Sequence, residues 1–382
     1  MKKIIFFLFF TFFAGSVFPQ SQLNMPSYFY KRLEGKINNK LNIQMNLTRM
    51  DSVLDGNYFY ENTGEPIFFQ FYSSMRNDSI HIEEESGYDE EYNVIITGVF
   101  DGKFISGDSI RGRWYNQDSS EVYDFYLREN YPEGSAKFET KHLSKNYGTS
   151  DFAKYAVSAD LSYPVMINYP DQKVQQKINS YIMNYYLNSS MGGDTIYADM
   201  NDRIDAFIES YKNEIEADSE IFKDYKPIYE NNEFTSIAFN SDGILSLEII
   251  EYIFTGGAHG NSSFSLASFN LKTGEKIKLD DIFYGDYKNV LNKAGEKIFR
   301  EQYRADSTQS LYDQGFFGFE NGFALNDNFE LYAGGIEFQF NPYEAGAYAL
   351  GAPEVFIPWS EIRDIIRDDS PPGRMLNKTQ SR

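Results

Sequence analysis

The chain has no cysteine among its 382 residues. That removes disulfides, thiolate nucleophiles and cysteine-ligated zinc. A chain of this length can build ordinary hydrophobic cores without such cross-links. Histidine is almost as scarce: there are three, His81, His142 and His259, and no HxH or HExxH spacing, so no metal site and no cofactor is expected. Tryptophan occurs twice, whereas tyrosine occurs 30 times and phenylalanine 34 times, an aromatic content that favours sheets. Positive charge is also short, with 35 Lys and Arg against 56 Asp and Glu and a net charge of -21. Phosphate neutralisation needs basic patches, so nucleic acid is not an expected partner. Cations, cationic proteins and neutral glycans stay compatible with this charge, which also serves solubility. Beyond the N-terminal segment no apolar run approaches the ~20 residues that span a bilayer, so no transmembrane segment is expected in the mature chain.

The N-terminal segment is Met1-Lys2-Lys3 followed by IIFFLFFTFFAGSVF and the small residues Ala14, Gly15 and Ser16. A short positive start, a short apolar core and small residues are the pattern of a secretory signal, here residues 1–20. The protein is therefore expected to be exported, to the periplasm or the extracellular space.

Residues 26–135 read as an antiparallel β meander. Short alternating segments are separated by Asp55-Gly56, Glu61-Asn62-Thr63-Gly64 and Asp101-Gly102, the signals of successive hairpins. A small barrel or sandwich would cover the sheet edges. The Pro, Gly and Ser content of residues 130–150 suggests a linker. Two amphipathic helices follow, one from Asp171 with Val174, Ile178, Ile182 and Tyr185 on one face, the other from Asn201 with Ile204, Phe207, Ile208, Tyr211 and Ile215. EFTSIAFNSDGILSLEIIEYIF is a hairpin about Ser241-Asp242-Gly243. A third helix is expected over 286–303, with Val290, Leu291, Ala294 and Ile298 inward, and a last one from Ser360. The overall expectation is an α+β fold: the N-terminal β domain, a companion α+β domain over 150–255, a C-terminal domain over 256–369 with helices packed on antiparallel sheet, and a disordered tail over 370–382.

Two glycine-rich segments stand out, YIFTGGAHG (252–260) and FNPYEAGAYALG (340–351). Gly256 and Gly257 permit positive φ and could offer backbone amides to a ligand oxygen, or could simply form a tight turn. His259 could act as a base or switch, or donate a structural hydrogen bond. Tyr343 and Tyr348 could stack on a sugar or a partner, or pack beneath their loop. Glu344 is a candidate acid or base. Glu248 and Glu251 are the obvious carboxylate pair, but three residues apart on a strand they face opposite sides, which argues against a glycosidase. The run Glu83-Glu84-Glu85 with Asp89-Glu90-Glu91 could attract a cationic partner or form a solvated hairpin tip. Asp-Ser/Thr-aliphatic triplets at Asp51, Asp78, Asp108 and Asp194 suit O-glycosylation or turn chemistry. No catalytic constellation is evident.

YIFTGGAHG, FNLKTGEKIKLDDIF and FQFNPYEAGAYALGAPEVFIPWSEI resemble the C-terminal domain of RsiV-type anti-sigma factors. The preceding region, with Tyr163-Pro164 and a helix carrying Ile178-Asn179, is similar to the companion domain of PdaC-type peptidoglycan deacetylases. The resemblance spans about Tyr155 to Asp368. It implies an α+β fold, a cell-envelope setting and lysozyme binding by the anti-sigma members, with deacetylase chemistry in a separate catalytic domain. With only two or three residues before the apolar segment, no cytoplasmic part to hold a sigma factor is expected. The leading expectation is a non-catalytic envelope protein that binds a cationic lysozyme-like protein or peptidoglycan through Gly256, Gly257, His259, Tyr343, Glu344 and Tyr348. The alternative is an enzyme that modifies cell-wall glycan, of hydrolase or deacetylase type.

Overall fold

The computed structural model describes residues 23–88, 94–150, 153–188, 197–217, 222 and 227–380. The expected signal segment, residues 89–93 of the acid-rich run, Asp194 and the last two residues of the tail lie outside them. The fold is α+β and mostly antiparallel.

Nine strands form the N-terminal unit: β1 (Tyr28–Ile37), β2 (Leu41–Met50), β3 (Val53–Tyr60), β4 (Ile67–Phe69), β5 (Ser74–Arg76), β6 (Ser79–Tyr88), β7 (Val94–Ser106), β8 (Ser109–Asn116) and β9 (Val122–Glu129). Each pairs with its neighbours, β1 pairs with β9, and β4 and β5 share one position between β3 and β6. The sheet thus closes as an eight-stave barrel, the size at which side chains alone fill the interior. Leu33, Ile43, Met45, Phe100, Phe104, Ile110 and Leu127 occupy it with no exposed surface, each contributing ~1.5–3 kcal/mol of burial. The acid-rich run is not a solvated tip throughout. Glu84 is 2 % exposed and accepts hydrogen bonds from Tyr58 Oη at 2.6 Å, from Trp114 Nε1 and from Thr97 Oγ1. These donors supply what water would otherwise provide.

A five-stranded sheet follows in the order β10 (Lys137–Tyr147), β11 (Val157–Ile167), β12 (Tyr229–Ser241), β13 (Ile244–Phe254) and β14 (Asn261–Asn270). Only β11 and β12 run parallel, because α1 (Gln172–Asn188) and α2 (Met200–Ala217) connect them. Both helices begin on an aspartate, the first as its sequence suggests and the second, at Asp199, ahead of the expected start at Asn201. Asp171 Oδ1 accepts the N–H of Lys173, and Asp199 Oδ1 those of Asn201 and Asp202. Val174, Ile178, Ile182, Ile204 and Phe207 pack on the sheet. Tyr186 takes the buried position expected of Tyr185, which instead bonds Ser265 at 2.9 Å.

Three expectations need correction. Residues 137–147, read within a linker, are strand β10; its one paired edge and partly solvated face leave it little apolar signal. The boundary at 255/256 falls inside the β13–β14 hairpin, which pairs along its whole length. The tail is not disordered from residue 370. Ser370 Oγ accepts the N–H of Gly373, and α6 (Pro371–Gln380) starts at a proline that suits the first helical turn. Met375 on it is 4 % exposed.

The C-terminal part holds α3 (Leu279–Ile282), α4 (Tyr287–Gln302), a three-stranded sheet of β15 (Phe329–Leu331), β16 (Gly335–Gln339) and β17 (Glu354–Pro358), and α5 (Trp359–Ile362). α4 is rotated from the expected face. It buries Tyr287, Leu291, Gly295 and Phe299 and leaves Val290 37 % exposed. The cause is Phe299, which sits among Phe316, Phe319 and Phe323 at ring separations of 5.1, 5.2 and 5.6 Å.

Polar contacts tie the barrel to β12. Arg32 is 1 % exposed and donates to the carbonyls of Asn240 at 2.7 Å and Asn130 at 2.8 Å, to Glu34 and to Gln44. Asn46 and Asn57 both donate to the carbonyl of Ala238 at 2.9 Å. Gly334 donates its N–H to Gly64 at 2.8 Å, and a Cβ at Gly334 would lie 2.7 Å from the Gly64 backbone.

Candidate functional site

The two glycine-rich segments meet. The β13–β14 loop carries His259, and the loop between β16 and β17 carries Tyr343, Glu344 and Tyr348. The His259 and Tyr348 rings stack at 3.8 Å with 19° between their planes. Tyr348 donates its hydroxyl to the carbonyl of Gly260 at 2.7 Å, and His259 Nδ1 lies 2.9 Å from that oxygen. With Nδ1–H donating to the carbonyl, the neutral ring presents Nε2 as an acceptor. Tyr343 extends the row, 5.6 Å from Tyr348 and 52 % exposed. Its φ of 72° is a left-handed conformation, set by the turn it occupies. The Tyr252 ring fills the space beside Gly260. The result is an exposed aromatic ledge with a hydrogen-bonding edge, able to lie against a sugar ring or a partner's side chain.

Two asparagines hold the loops together. Asn341 accepts the N–H of Phe264 at 2.7 Å and donates back to its carbonyl. Asn328 does the same for Leu266 and Phe264, and also reaches Gln339. These side-chain amides stand in for the missing neighbour of edge strand β14, so the ledge is braced by backbone pairing. Nothing in the sequence marks them beyond Asn341 lying within the Asn-Pro-Tyr-Glu motif. Glu344 belongs to the same bracing. Its Oε2 accepts the Asn341 N–H at 2.8 Å and an Asn326 amide proton at 3.2 Å.

Gly256 and Gly257 have φ of 87° and 103° in an exposed bend with open space about them. They shape the approach to His259, and no described contact joins them to the rings. The structure thus brings together His259, Tyr343, Glu344 and Tyr348. Glu248 and Glu251 do face opposite sides of β13. Glu251 lies on the helix-covered side with Ser263, where burial and then the charge of Glu233 push it up to about 7. The other two histidines are elsewhere: His81 between Asp101 and Glu83, and His142 stacked on Tyr28 beside Asp160. Turn chemistry accounts for Asp108, whose carboxylate accepts from Ser106 and Ser109, whereas Asp78 accepts the N–H of the distant Leu23. No group of three or more metal-ligating side chains is found among the described residues.

Residues 152–262 match the family described as Deacetylase PdaC, and residues 280–360 match the family described as Protein of unknown function (DUF3298). The ledge takes His259 from the first region and its tyrosines from the second. The chain is 24 % identical over 152 residues to the peptidoglycan-N-acetylmuramic acid deacetylase PdaC of Bacillus subtilis strain 168, covering 39 % of this chain and 30 % of that protein. A crystal structure of a DUF3298 family member from Bacteroides fragilis superposes with a TM-score of 0.53 at 23 % identity, over 64 % of this chain and 99 % of that one; this likeness concerns the fold alone. The companion region is therefore PdaC-like, as its motifs suggested, and the C-terminal region is similar to a family without an assigned function.

Proposed function

We propose that this chain works in the bacterial cell envelope on peptidoglycan-type glycan, and that the ledge of His259, Tyr348 and Tyr343 is where a sugar is held. The observation that carries this reading is the stacked His259–Tyr348 pair with Tyr343 exposed beside it. Aromatic faces with polar edges suit sugar rings, which have apolar faces and hydroxyl rims. The PdaC-like region supports the choice of glycan over other neutral ligands. Export, expected from the N-terminal segment, would fit the same setting.

A second reading is enzymatic modification of that glycan, and the similarity to a protein named as a deacetylase favours it over binding alone. In this reading His259 Nε2 serves as the base, held in its tautomer by the Gly260 carbonyl. Glu344 is committed to Asn341 and Asn326 and supplies no second acid.

Co-sedimentation with purified peptidoglycan tests the ledge. Tyr348→Ala and Tyr343→Ala are each expected to weaken binding by about 2- to 10-fold, the value of one aromatic contact. Wild-type binding by both folded variants refutes the sugar-holding role. Release of acetate from the same glycan, lost in His259→Ala far beyond what its weaker binding explains, would establish the second reading. Capture of a cationic lysozyme in place of glycan, lost at high salt, would move the ledge to protein recognition.

A further inference from the structure

One part of the junction between the barrel and the C-terminal half is lined by acidic side chains. The barrel contributes Asp55 from β3 and Glu85 from β6. β13 contributes Glu248, and the three-stranded sheet contributes Glu330, Glu337 and Glu354. Glu330 stands opposite Glu337 across β15–β16, and Gln339 opposite Glu354 across β16–β17, so these side chains share one face of the sheet. Glu330 is 1 % exposed, Glu337 5 % and Gln339 2 %. Asp55 and Glu248 are half-buried, and Glu354 stands at the solvent rim. The aromatic neighbour across the junction is Phe68 of the barrel, edge-on to Tyr332 at 6.0 Å.

Few donors reach this cluster. Tyr332 donates its hydroxyl to Glu330 at 2.6 Å, and the Gln339 amide donates to Glu354 at 3.2 Å. Asp55 has the Ser236 hydroxyl and the Gly56 N–H. Glu330 Oε2 and Gln339 Oε1 are buried without a partner.

The buried carboxylates Glu330 and Glu337 need neutralising, the more so with the other four beside them. Among the described residues none of the six forms an ion pair, so no lysine or arginine does it. No three of them are grouped to hold a metal ion. The unpartnered oxygens have no accessible surface, which bars an ammonium or guanidinium group from a partner. A proton is the cation that remains.

We propose that this carboxylate cluster is a proton-loaded clamp: its bound protons let the barrel and the C-terminal half pack together, and their loss at alkaline pH loosens that junction. Burial, then the charges of Glu354 and Asp55, push Glu330 up to about 8, with the Tyr332 hydrogen bond opposing. Burial, then neighbouring carboxylates, hold Glu248 and Glu337 well above the ordinary range, and burial raises Asp55. The folded state thus keeps protons that the unfolded chain releases above the ordinary glutamate value of ~4.3. The stability they bring is fully present below that value. It falls as pH rises toward about 8, where Glu330 ionises, with the more strongly raised groups following above.

Thermal unfolding of the full chain between pH 5.5 and 9 at constant salt tests the clamp. The melting temperature of the wild type is expected to fall across this range. Glu330→Gln with Glu337→Gln should flatten the fall and melt higher than wild type at pH 8.5. Glu330→Gln alone should remove part of the slope and serves if the double variant does not fold. Glu320→Gln, an exposed site, removes the same unit of charge and should keep the wild-type slope. The absence of cysteine permits spin labels at Ser120→Cys and Ser307→Cys, one on each half. Their separation should lengthen or broaden at pH 8.5 in wild type and not in the double variant. A melting temperature constant or rising from pH 5.5 to 8.5, a glutamine variant with the wild-type slope, or a label distance indifferent to pH overturns the proposal. None of these readouts involves the aromatic ledge.

Discussion

At the residue scale, single side chains decide what the ledge is. Tyr348 combines a stack on His259 with a hydrogen bond to Gly260. Tyr348→Phe keeps the first and loses the second, so it is expected to bind glycan better than Tyr348→Ala while destabilising the fold by ~1 kcal/mol; urea unfolding with co-sedimentation checks both. Asn341 is the stronger structural point. Asn341→Ala removes both bonds to Phe264 and leaves edge-strand groups unpaired, a predicted loss of ~1–3 kcal/mol by urea unfolding. The candidate residues His259, Tyr343 and Tyr348 were legible because each is a ring within a glycine-rich strand-to-loop pattern. Asn328 and Asn341 were not, since a bracing amide looks like any polar loop residue until the strand it pairs with is known. Glu84 shows the converse. In sequence it belongs to an acidic run, and in the fold it points into the barrel because strands alternate their side chains.

At the scale of elements, local signals were mostly sufficient. The capped start of α1, the apolar stripes of α1 and α2 and the hairpin at Asp242-Gly243 follow from spacing and turn chemistry. Errors came where an element's partner sets its face or its content. α4 turns to bury Phe299 in a ring cluster that local periodicity does not contain. β10 hydrogen-bonds on one side and shows no clear alternation. Barrel closure also depends on such a contact. Gly35 lies where β1 meets β9, and a Cβ there would sit 1.9 Å from the Tyr126 carbonyl oxygen. Gly35→Val is expected to force that seam apart and cost at least ~1–3 kcal/mol, with amide exchange rising first along β1 and β9. Beneath α2, Arg203 pairs with Glu233, both 1 % exposed at their side chains. Arg203→Met alone should cost ~3–5 kcal/mol by leaving a buried carboxylate, and adding Glu233→Gln should restore a large part of it; chemical denaturation of the single and double variants distinguishes the two.

At the scale of the whole molecule, the junction between barrel and C-terminal half is the feature with the largest consequences. Arg32 reaches across it to the Asn240 carbonyl and the Ser241 hydroxyl, and Gly64 and Gly334 allow backbone contact. Arg32→Leu should therefore cost ~2–4 kcal/mol and let the two halves melt separately in calorimetry. The same junction gathers the carboxylates whose protonation sets the expected alkaline loss of stability. By itself the amino-acid sequence determined the lack of thiol chemistry, the α+β class, the strands of the barrel and the rings of the ledge. These depend on composition and on neighbours close along the chain. Tertiary structure alone decided that the two glycine-rich loops touch, that Glu330, Glu337 and Asp55 share one junction, and that a proline-led tail is a helix. Each of these rests on groups brought together from distant positions, or on burial that changes what a side chain can ionise or bond. Burial and long-range proximity belong to the folded chain and have no local signature.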